Sequence, residues 1–336
     1  MEALTISFTG KDQVELRMTE IEELTPNHVL VQATKTLIST GTEGIVLSRL
    51  FEPGTHWDGW VHYPFDAGYS MIGRIIKVAD DVTNFKVGDR VALRQNHKQY
   101  AVANAGNLIR VPDNVPDEDA SWFALAKIAQ NGVRRAQHKL GDAVAIVGLG
   151  PLGQLVTQYV RLMGAREIIA IDPAEKRLEL AKAHGATAIL PMTVQDAKEQ
   201  VMQLTDGRGP DVIYDVTGHP AVFQCALGLL PQFGKLLLLG DTGKPSEQRL
   251  TYDVVVKGLS IIGAHDGNPP GESTPYEFWS TNKIIKLFFT YLERGDMFTA
   301  DLITHRFSPE DAVEAYRLIR EDRSSAMGVV FDWTRI

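Results

Sequence analysis

Ala143, Val144, Ala145, Ile146 and Val147 form an unbroken apolar run, as a parallel strand covered on both faces requires. The interruption that follows is rich in glycine, Gly148-Leu149-Gly150-Pro151-Leu152-Gly153. Leu152, Leu155, Val156, Tyr159, Val160 and Met163 then recur at helical spacing as far as Gly164, which predicts a helix. A second apolar run at 167–171 ends in Asp172, nineteen positions past Gly153. Strand, glycine turn, helix, strand and terminal acid in this order make a dinucleotide-binding unit. The glycines serve a tight turn, the approach of backbone to a pyrophosphate, and close helix–strand packing, while the positive end of the helix faces the phosphates. An acid in this place accepts both ribose hydroxyls of NAD and repels the 2′-phosphate of NADP. NAD is therefore the expected cofactor. NADP ranks second, because Lys176 and Arg177 lie just beyond the acid, where a rearranged loop would offer them to a phosphate.

The alternation continues downstream. Apolar strands are predicted at 188–190, 212–216, 235–239 and 259–263, with helical stretches at 174–184 and 220–230 between them. Together with the first two, these make six strands, the number expected of two mononucleotide-binding halves in a doubly wound parallel sheet. Gly218, beside Thr217, and Gly240 follow the fourth and fifth strands, so their loops are expected at the crevice where such sheets bind cofactor. His265 follows the sixth strand and faces either cofactor or substrate, or is an ordinary surface residue. Ahead of this region the period is two: Val29, Val31 and Ala33 alternate with Leu30, Gln32 and Thr34, and 72–78 and 90–93 are β-rich between glycines and prolines. This predicts a β-rich domain up to about residue 119. The segment 48–67 carries Phe51, Trp57, Trp60, Tyr63 and Phe65 with His56 and His62. It reads equally as an aromatic-lined loop over a pocket and as a small satellite core beneath a long loop. A helix is expected at 120–137. Beyond residue 266 come Gly-Asn-Pro-Pro-Gly, helices at 283–294 and 308–320, and a last strand at 328–332, a tail expected to return to the first domain.

Composition narrows the classes. The chain has 336 residues, 44% hydrophobic and 23% charged, which suits an ordinary globular protein with two cores. A net charge of -8 argues against nucleic acid or an anionic membrane as partner. The single cysteine, Cys225, excludes an intrachain disulfide and a cysteine-built zinc site. No signal-like start and no apolar run of membrane-spanning length occur, so the cytoplasm is the expected compartment.

Ile38-Ser39-Thr40-Gly41-Thr42-Glu43, Val87-Gly88-Asp89-Arg90-Val91, Leu140-Gly141-Asp142, the glycine turn and Phe307-Ser308-Pro309-Glu310-Asp311-Ala312 together carry a resemblance. The chain resembles the medium-chain dehydrogenase/reductase superfamily over nearly its whole length. The resemblance implies an α/β chain. A GroES-like β-rich catalytic domain (1–122 and 284–336) is interrupted by a Rossmann doubly wound domain (123–283). Zinc-dependent members hold their metal with a cysteine, a Gly-His-Glu histidine and a later cysteine or glutamate. Here Thr40, Gly68-Tyr69-Ser70 and Phe123-Ala124-Leu125-Ala126 stand at those places, and none is an ordinary zinc ligand. The four-cysteine structural lobe is missing too. No zinc is expected, and Glu43, His56, His62, Asp66 and His97 show no recognised ligand spacing that would build another metal site.

Without a Lewis acid, protein groups must steady the charge on the reacting oxygen. By the resemblance, Thr42 is the hydroxyl that passes the substrate proton outward, Glu43 the neighbouring acid, and Tyr69 a phenol in the vacated histidine position. Lys127 falls near the nicotinamide in relatives. It is either a desolvated lysine with acid/base capacity or part of a solvated helix face with Asn131 and Arg134. His97 is either a proton relay or an ordinary histidine. The cofactor set is Gly148, Gly150, Pro151, Leu152, Gly153, Asp172, Arg177, Thr217, Gly240 and His265.

The leading expectation is a zinc-independent NAD(H)-linked dehydrogenase of a small-molecule secondary alcohol or ketone, by similarity to polyol and sugar dehydrogenases. Ser39-Thr40-Gly41-Thr42-Glu43 is also similar to bacteriochlorophyllide dehydrogenase-like proteins, which admits a larger hydroxylated substrate. The alternatives are a zinc-free NADPH-dependent quinone or enoyl reductase, and a cofactor-binding protein without turnover. A homodimer or homotetramer is expected, with 235–239 and 259–263 pairing across a two-fold axis.

Overall fold

The computed structural model describes residues 2–336, which fall into two compact units, 2–124 with 285–336, and 125–284. The first unit is built on two sheets. In the smaller, the strand Glu2–Gly10 lies between Gln13–Glu20 and Phe65–Asp66. The larger has seven strands and centres on His28–Leu37, which pairs antiparallel with Met71–Val78, Tyr100–Asn104 and Gly328–Asp332. The two-residue period seen in the sequence has its cause here: Val29, Val31 and Ala33 are buried in one core with Ile75, Val91 and Phe331.

The tail does return to this unit, through Gly328–Asp332 and through a parallel partner, Ile303–Phe307, that the sequence pattern does not announce. That strand reads Ile-Thr-His-Arg-Phe and has only its first residue buried, so it lacks an apolar signature. The aromatic segment 48–67 is decided in favour of packing. Trp57 is buried in the main core with Phe51, Tyr63 and Phe65 packed against it, and the Tyr63 hydroxyl donates to the Val46 carbonyl at 2.8 Å. Trp60 alone among them is largely exposed.

The second unit is a six-stranded sheet, parallel throughout. Its order is Ala188–Leu190, Glu167–Ile171, Ala143–Val147, Val212–Asp215, Lys235–Leu238, Ser260–Gly263. All five residues of Ala143–Val147 are buried, as the continuous apolar run demands of a central strand. The sheet reverses direction of growth at this strand, which places the glycine turn at the topological switch point. One expectation is corrected: Lys235–Leu238 has neighbours on both edges, so its backbone groups are already paired and it cannot join a second copy. Ser260–Gly263 is the edge. The helix expected at 120–137 is observed as Asp117–Ala120 and Phe123–Ala136.

Candidate functional site

In the second unit, Pro151–Leu162 starts directly from Gly150, with proline in its first turn where no backbone N–H is needed. Gly148 has φ +93°, a conformation that disfavours side chains, and a Cβ there would lie 2.7 Å from Thr217 Cγ2. A Cβ on Gly153 would sit 2.1 Å from the Gly148 carbonyl oxygen, so helix and strand close on each other only without one. At Gly150 a Cβ would meet nothing within 4 Å, leaving that side of the turn open to a pyrophosphate. Leu152 lies in the first turn of this helix.

Asp172 stands at the end of Glu167–Ile171 and is buried. Its Oδ2 accepts the Leu149 N–H at 2.8 Å and its Oδ1 the Ala174 N–H at 2.8 Å. The acid thus shapes the glycine turn while keeping further lone pairs for a ligand. Arg177 Nη1 lies 3.8 Å from Asp172 Oδ2, so a cation stands beside the acid. Across the sheet, Asp215 Oδ1 gathers the Thr217 N–H, the Thr217 hydroxyl and the Gly218 N–H, at 2.9, 2.7 and 3.3 Å. Burial pushes the Asp215 carboxyl up, against these donors. A Cβ on Gly240 would lie 2.4 Å from Gly218 N, so the loops after the fourth and fifth strands interlock. Sequence reasoning missed Asp215; its only signal was its place at a strand end before a Thr-Gly pair.

Lys127 is 4% exposed and its ammonium donates to the Asp266 carbonyl at 2.7 Å and to Asp266 Oδ1 at 2.9 Å. The solvated-face reading is therefore corrected: Lys127 and Asn131 both point into protein, and Asn131 donates to the His265 carbonyl at 2.9 Å. The His265 side chain is exposed, and its Nδ1 accepts the Gly267 N–H.

In the first unit, Ser39 precedes the helix Thr40–Ser48, whose first turn holds Thr40, Thr42 and Glu43. The Tyr69 hydroxyl donates to Ser39 Oγ at 2.6 Å and also hydrogen-bonds the Thr42 side chain. Burial raises the phenol to about 12, against the Ser39 and Thr42 hydrogen bonds and the positive charge of Arg94. It is a hydrogen-bond donor throughout the physiological range. Gly68 has φ +89° and a Cβ there would collide with the His97 ring at 2.6 Å, so this glycine lets the turn carrying Tyr69 lie on the imidazole.

Glu43 turns away from that hydroxyl cluster. Its Oε1 accepts the Ser39 N–H at 2.7 Å, and its Oε2 accepts from His97 Nε2 at 3.1 Å and from the Tyr316 hydroxyl. Glu43 is 2% and His97 0% exposed. Burial, then the charge of Glu43, push the Tyr316 phenol well above its ordinary value, which keeps it a donor. His97 Nδ1 has no hydrogen-bond partner, so the contact to Glu43 through Nε2 is what orients the imidazole. Tyr316 carries no functional signal in the sequence.

Zinc, which the fold family implies, does not fit these residues. Thr40 and Tyr69 offer neutral hydroxyls, and the one close carboxylate–imidazole pair has its third partner in a phenol. Among the described residues no three His, Cys, Asp or Glu side chains converge on a possible metal position.

Residues 26–113 match the alcohol dehydrogenase GroES-like domain family, and residues 151–280 match the zinc-binding dehydrogenase family. The chain is 30% identical over 276 residues to D-guloside 3-dehydrogenase of Escherichia coli K12, covering 80% of this chain and 78% of that protein. It is 27% identical over 348 residues to L-threonine 3-dehydrogenase of Photorhabdus laumondii, covering 93% and 94%. Solved structures share its fold, two of which were determined with a nicotinamide cofactor. An alcohol dehydrogenase from E. coli CFT073, complexed with NADH, has a TM-score of 0.81 at 21% identity, covering 98% of this chain and 99% of that one. A zinc-binding dehydrogenase from Sinorhizobium meliloti 1021, bound to NADP, has a TM-score of 0.79 at 18% identity, covering 99% of both chains. With a glycine turn at the switch point of a parallel sheet and these matches along nearly its whole length, the chain belongs to the medium-chain dehydrogenase/reductase superfamily.

Proposed function

We propose that this oxidoreductase, which acts on CH–OH groups with NAD(P), is a zinc-independent, NAD-preferring dehydrogenase of a secondary alcohol or ketone. A sugar, a polyol or a larger hydroxylated compound is the substrate class. The observation that carries this reading is the Tyr69–Ser39–Thr42 hydroxyl cluster, which stands where relatives place a metal ligand. When bound, the nicotinamide supplies the hydride acceptor or donor.

The chain's own groups handle the oxygen. In ketone reduction the Tyr69 hydroxyl turns from Ser39 Oγ to the carbonyl, steadies the negative charge that develops there and gives up its proton. Ser39 Oγ and Thr42 then relay a proton from solvent water to the phenolate. In oxidation the same hydroxyls carry the proton the other way, and because free tyrosinate is disfavoured at a phenol near 12, transfer runs through the chain of hydroxyls rather than through a standing base. Glu43 and His97 are positioning residues in this scheme, since both are buried and face each other. Lys127 has two contacts to Asp266 and serves to hold the loop after the last parallel strand. The preference for NAD rests on Asp172, and the neighbouring Arg177 is the feature that a NADP-using enzyme would exploit.

The test is a chelator-treated, metal-assayed preparation offered a panel of polyols, sugars and ketones with each nucleotide. Turnover with NAD at undiminished rate is expected. A rate that tracks added zinc overturns the reading. Turnover of quinones or enoyl thioesters with NADPH favours a reductase, and NADH binding without any hydride transfer favours a protein without turnover. We further propose a homodimer, because the edge strand Ser260–Gly263 is unpaired on one side and Tyr252, Val255 and Val256 are exposed nearby in sequence. Among the described residues, no helix is long and apolar enough to cross a membrane.

A further inference from the structure

Ser39 stands at the start of the helix Thr40–Ser48 without capping it, since its hydroxyl makes no bond to the first turn. A serine in this place ordinarily turns its Oγ onto a backbone N–H there. Here the oxygen is left for the Tyr69 hydroxyl, 2.6 Å away. Glu43 holds the backbone of Ser39 from both sides. Its N–H donates to the Ser39 carbonyl at 2.9 Å, and its Oε1 accepts the Ser39 N–H at 2.7 Å. The other carboxylate oxygen, Oε2, receives His97 Nε2 and the Tyr316 hydroxyl, so the group that grips Ser39 is itself gripped by donors from two distant segments.

The same contacts reach Tyr69 from its other side. The His97 N–H donates to the Ala67 carbonyl at 2.7 Å and Asn96 Nδ2 donates to the Gly68 carbonyl at 3.2 Å, which ties residues 96 and 97 to the turn carrying Tyr69. Tyr316 is buried, with its ring edge-on to that of Phe8, centroids 4.9 Å apart. Packing alone would be served by phenylalanine at 316. A phenol in an apolar site costs desolvation unless it is bonded, and the bond it makes goes to Glu43.

We propose that Tyr316 is a positioning residue of the proton relay: by holding Glu43 against Ser39, it fixes Ser39 Oγ where a proton passes to and from Tyr69. The inference rests on the reading that Tyr69, Ser39 and Thr42 carry the substrate proton. It adds that the helix Ala312–Glu321, which bears Tyr316, sets the geometry of that transfer.

The test is a cycle of Tyr316→Phe, Ser39→Ala and the double variant, assayed with a secondary alcohol at a temperature where circular dichroism shows each protein folded. Tyr316→Phe is expected to lower kcat about tenfold, the worth of one orienting hydrogen bond. KM and NADH affinity should stay unchanged, while the solvent deuterium isotope effect on kcat rises as the relay slows. In the Ser39→Ala background, where Oγ is gone, Tyr316→Phe is expected to cost nothing more. An unchanged kcat, or the same loss with and without Ser39 Oγ, overturns the proposal and leaves the dehydrogenase reading intact, because a merely structural role for Tyr316 does not depend on that oxygen. Wild-type kcat in both Ser39→Ala and Tyr69→Phe overturns the relay reading itself, and the proposal with it. If no compound is oxidised, the broader reading fails, and the positioning of Tyr69 is still read by NMR of protein labelled with carbon-13 tyrosine. The Tyr69 signal, identified by its absence in Tyr69→Phe, is expected to move in Tyr316→Phe and to stay in Val29→Ala, a truncation elsewhere in the same core. A Tyr69 signal that Tyr316→Phe leaves in place overturns the proposal.

Discussion

The resemblance sets Tyr69 at the position of a metal-ligating histidine, and its phenol can donate a hydrogen bond while its surroundings keep it protonated. We expect Tyr69→Phe to lower kcat about 100-fold, the lower end of what a positioned proton donor contributes. KM and NADH binding, followed by nucleotide fluorescence, should change little. The phenol is readable in the sequence, whereas the helix Thr40–Ser48 that brings Ser39 and Thr42 together lies in a stretch read as β-rich. The role of Tyr316 is not readable: it meets Glu43 from 273 residues away, and no periodicity reports a contact at that separation. Removing its hydroxyl leaves a buried carboxylate oxygen one donor short. Tyr316→Phe should therefore lose about 1–3 kcal/mol of stability in urea unfolding, the range for an unsatisfied buried group.

At the scale of elements, the helix Phe123–Ala136 shows how a correct prediction of an element leaves open what its faces do. Its polar positions 127 and 131 suggest solvent, yet Lys127 and Asn131 bind the backbone at 265 and 266. The amphipathic period says only that these two residues share a face. The approach of a loop more than a hundred residues downstream is a tertiary fact. Lys127 is buried but Asp266 is partly exposed, so losing the charge-assisted hydrogen bonds in Lys127→Met should destabilise the protein by about 1–2 kcal/mol, measured by chemical unfolding. Asp266→Asn in the same background should add little further, and the loss of activity in Lys127→Met should follow loop disorder rather than any shift in the pH profile. The aromatic segment 48–67 teaches the same lesson. Its composition suits a pocket rim or a core, and the strands above Trp57 decide for the core.

At the scale of the whole molecule, the chain's beginning and end are tied together within the first unit by Lys35 and Asp332, 2.7 Å apart on adjacent antiparallel strands. Burial opposes ionisation of Asp332, but the hydrogen bonds from Lys35 and Thr334 outweigh it and hold the carboxyl down at about 2. A carboxyl depressed in the folded state stabilises it above the unfolded value near 4, and that contribution, about 2 kcal/mol, is lost as pH falls toward 2. Lys35→Met should lower stability at pH 7 and flatten the decline between pH 4 and 2, read from urea midpoints across that window. Assembly is tested at this scale too. Val255→Asp with Val256→Asp, at 86% and 70% exposed positions, should convert a dimer to a monomer in light scattering without unfolding it.

The sequence by itself determined the alternation of strand and helix and the glycine turn with its acid, because these are local patterns or single residue types at fixed spacing. Only the tertiary structure decided which groups those residues meet. The pairing of Glu43 with His97 and Tyr316, of Lys127 with Asp266, and of Arg94 with the Tyr69 ring depends on chain segments brought together by two separate cores. Distances between such segments are set by packing, which no local period encodes.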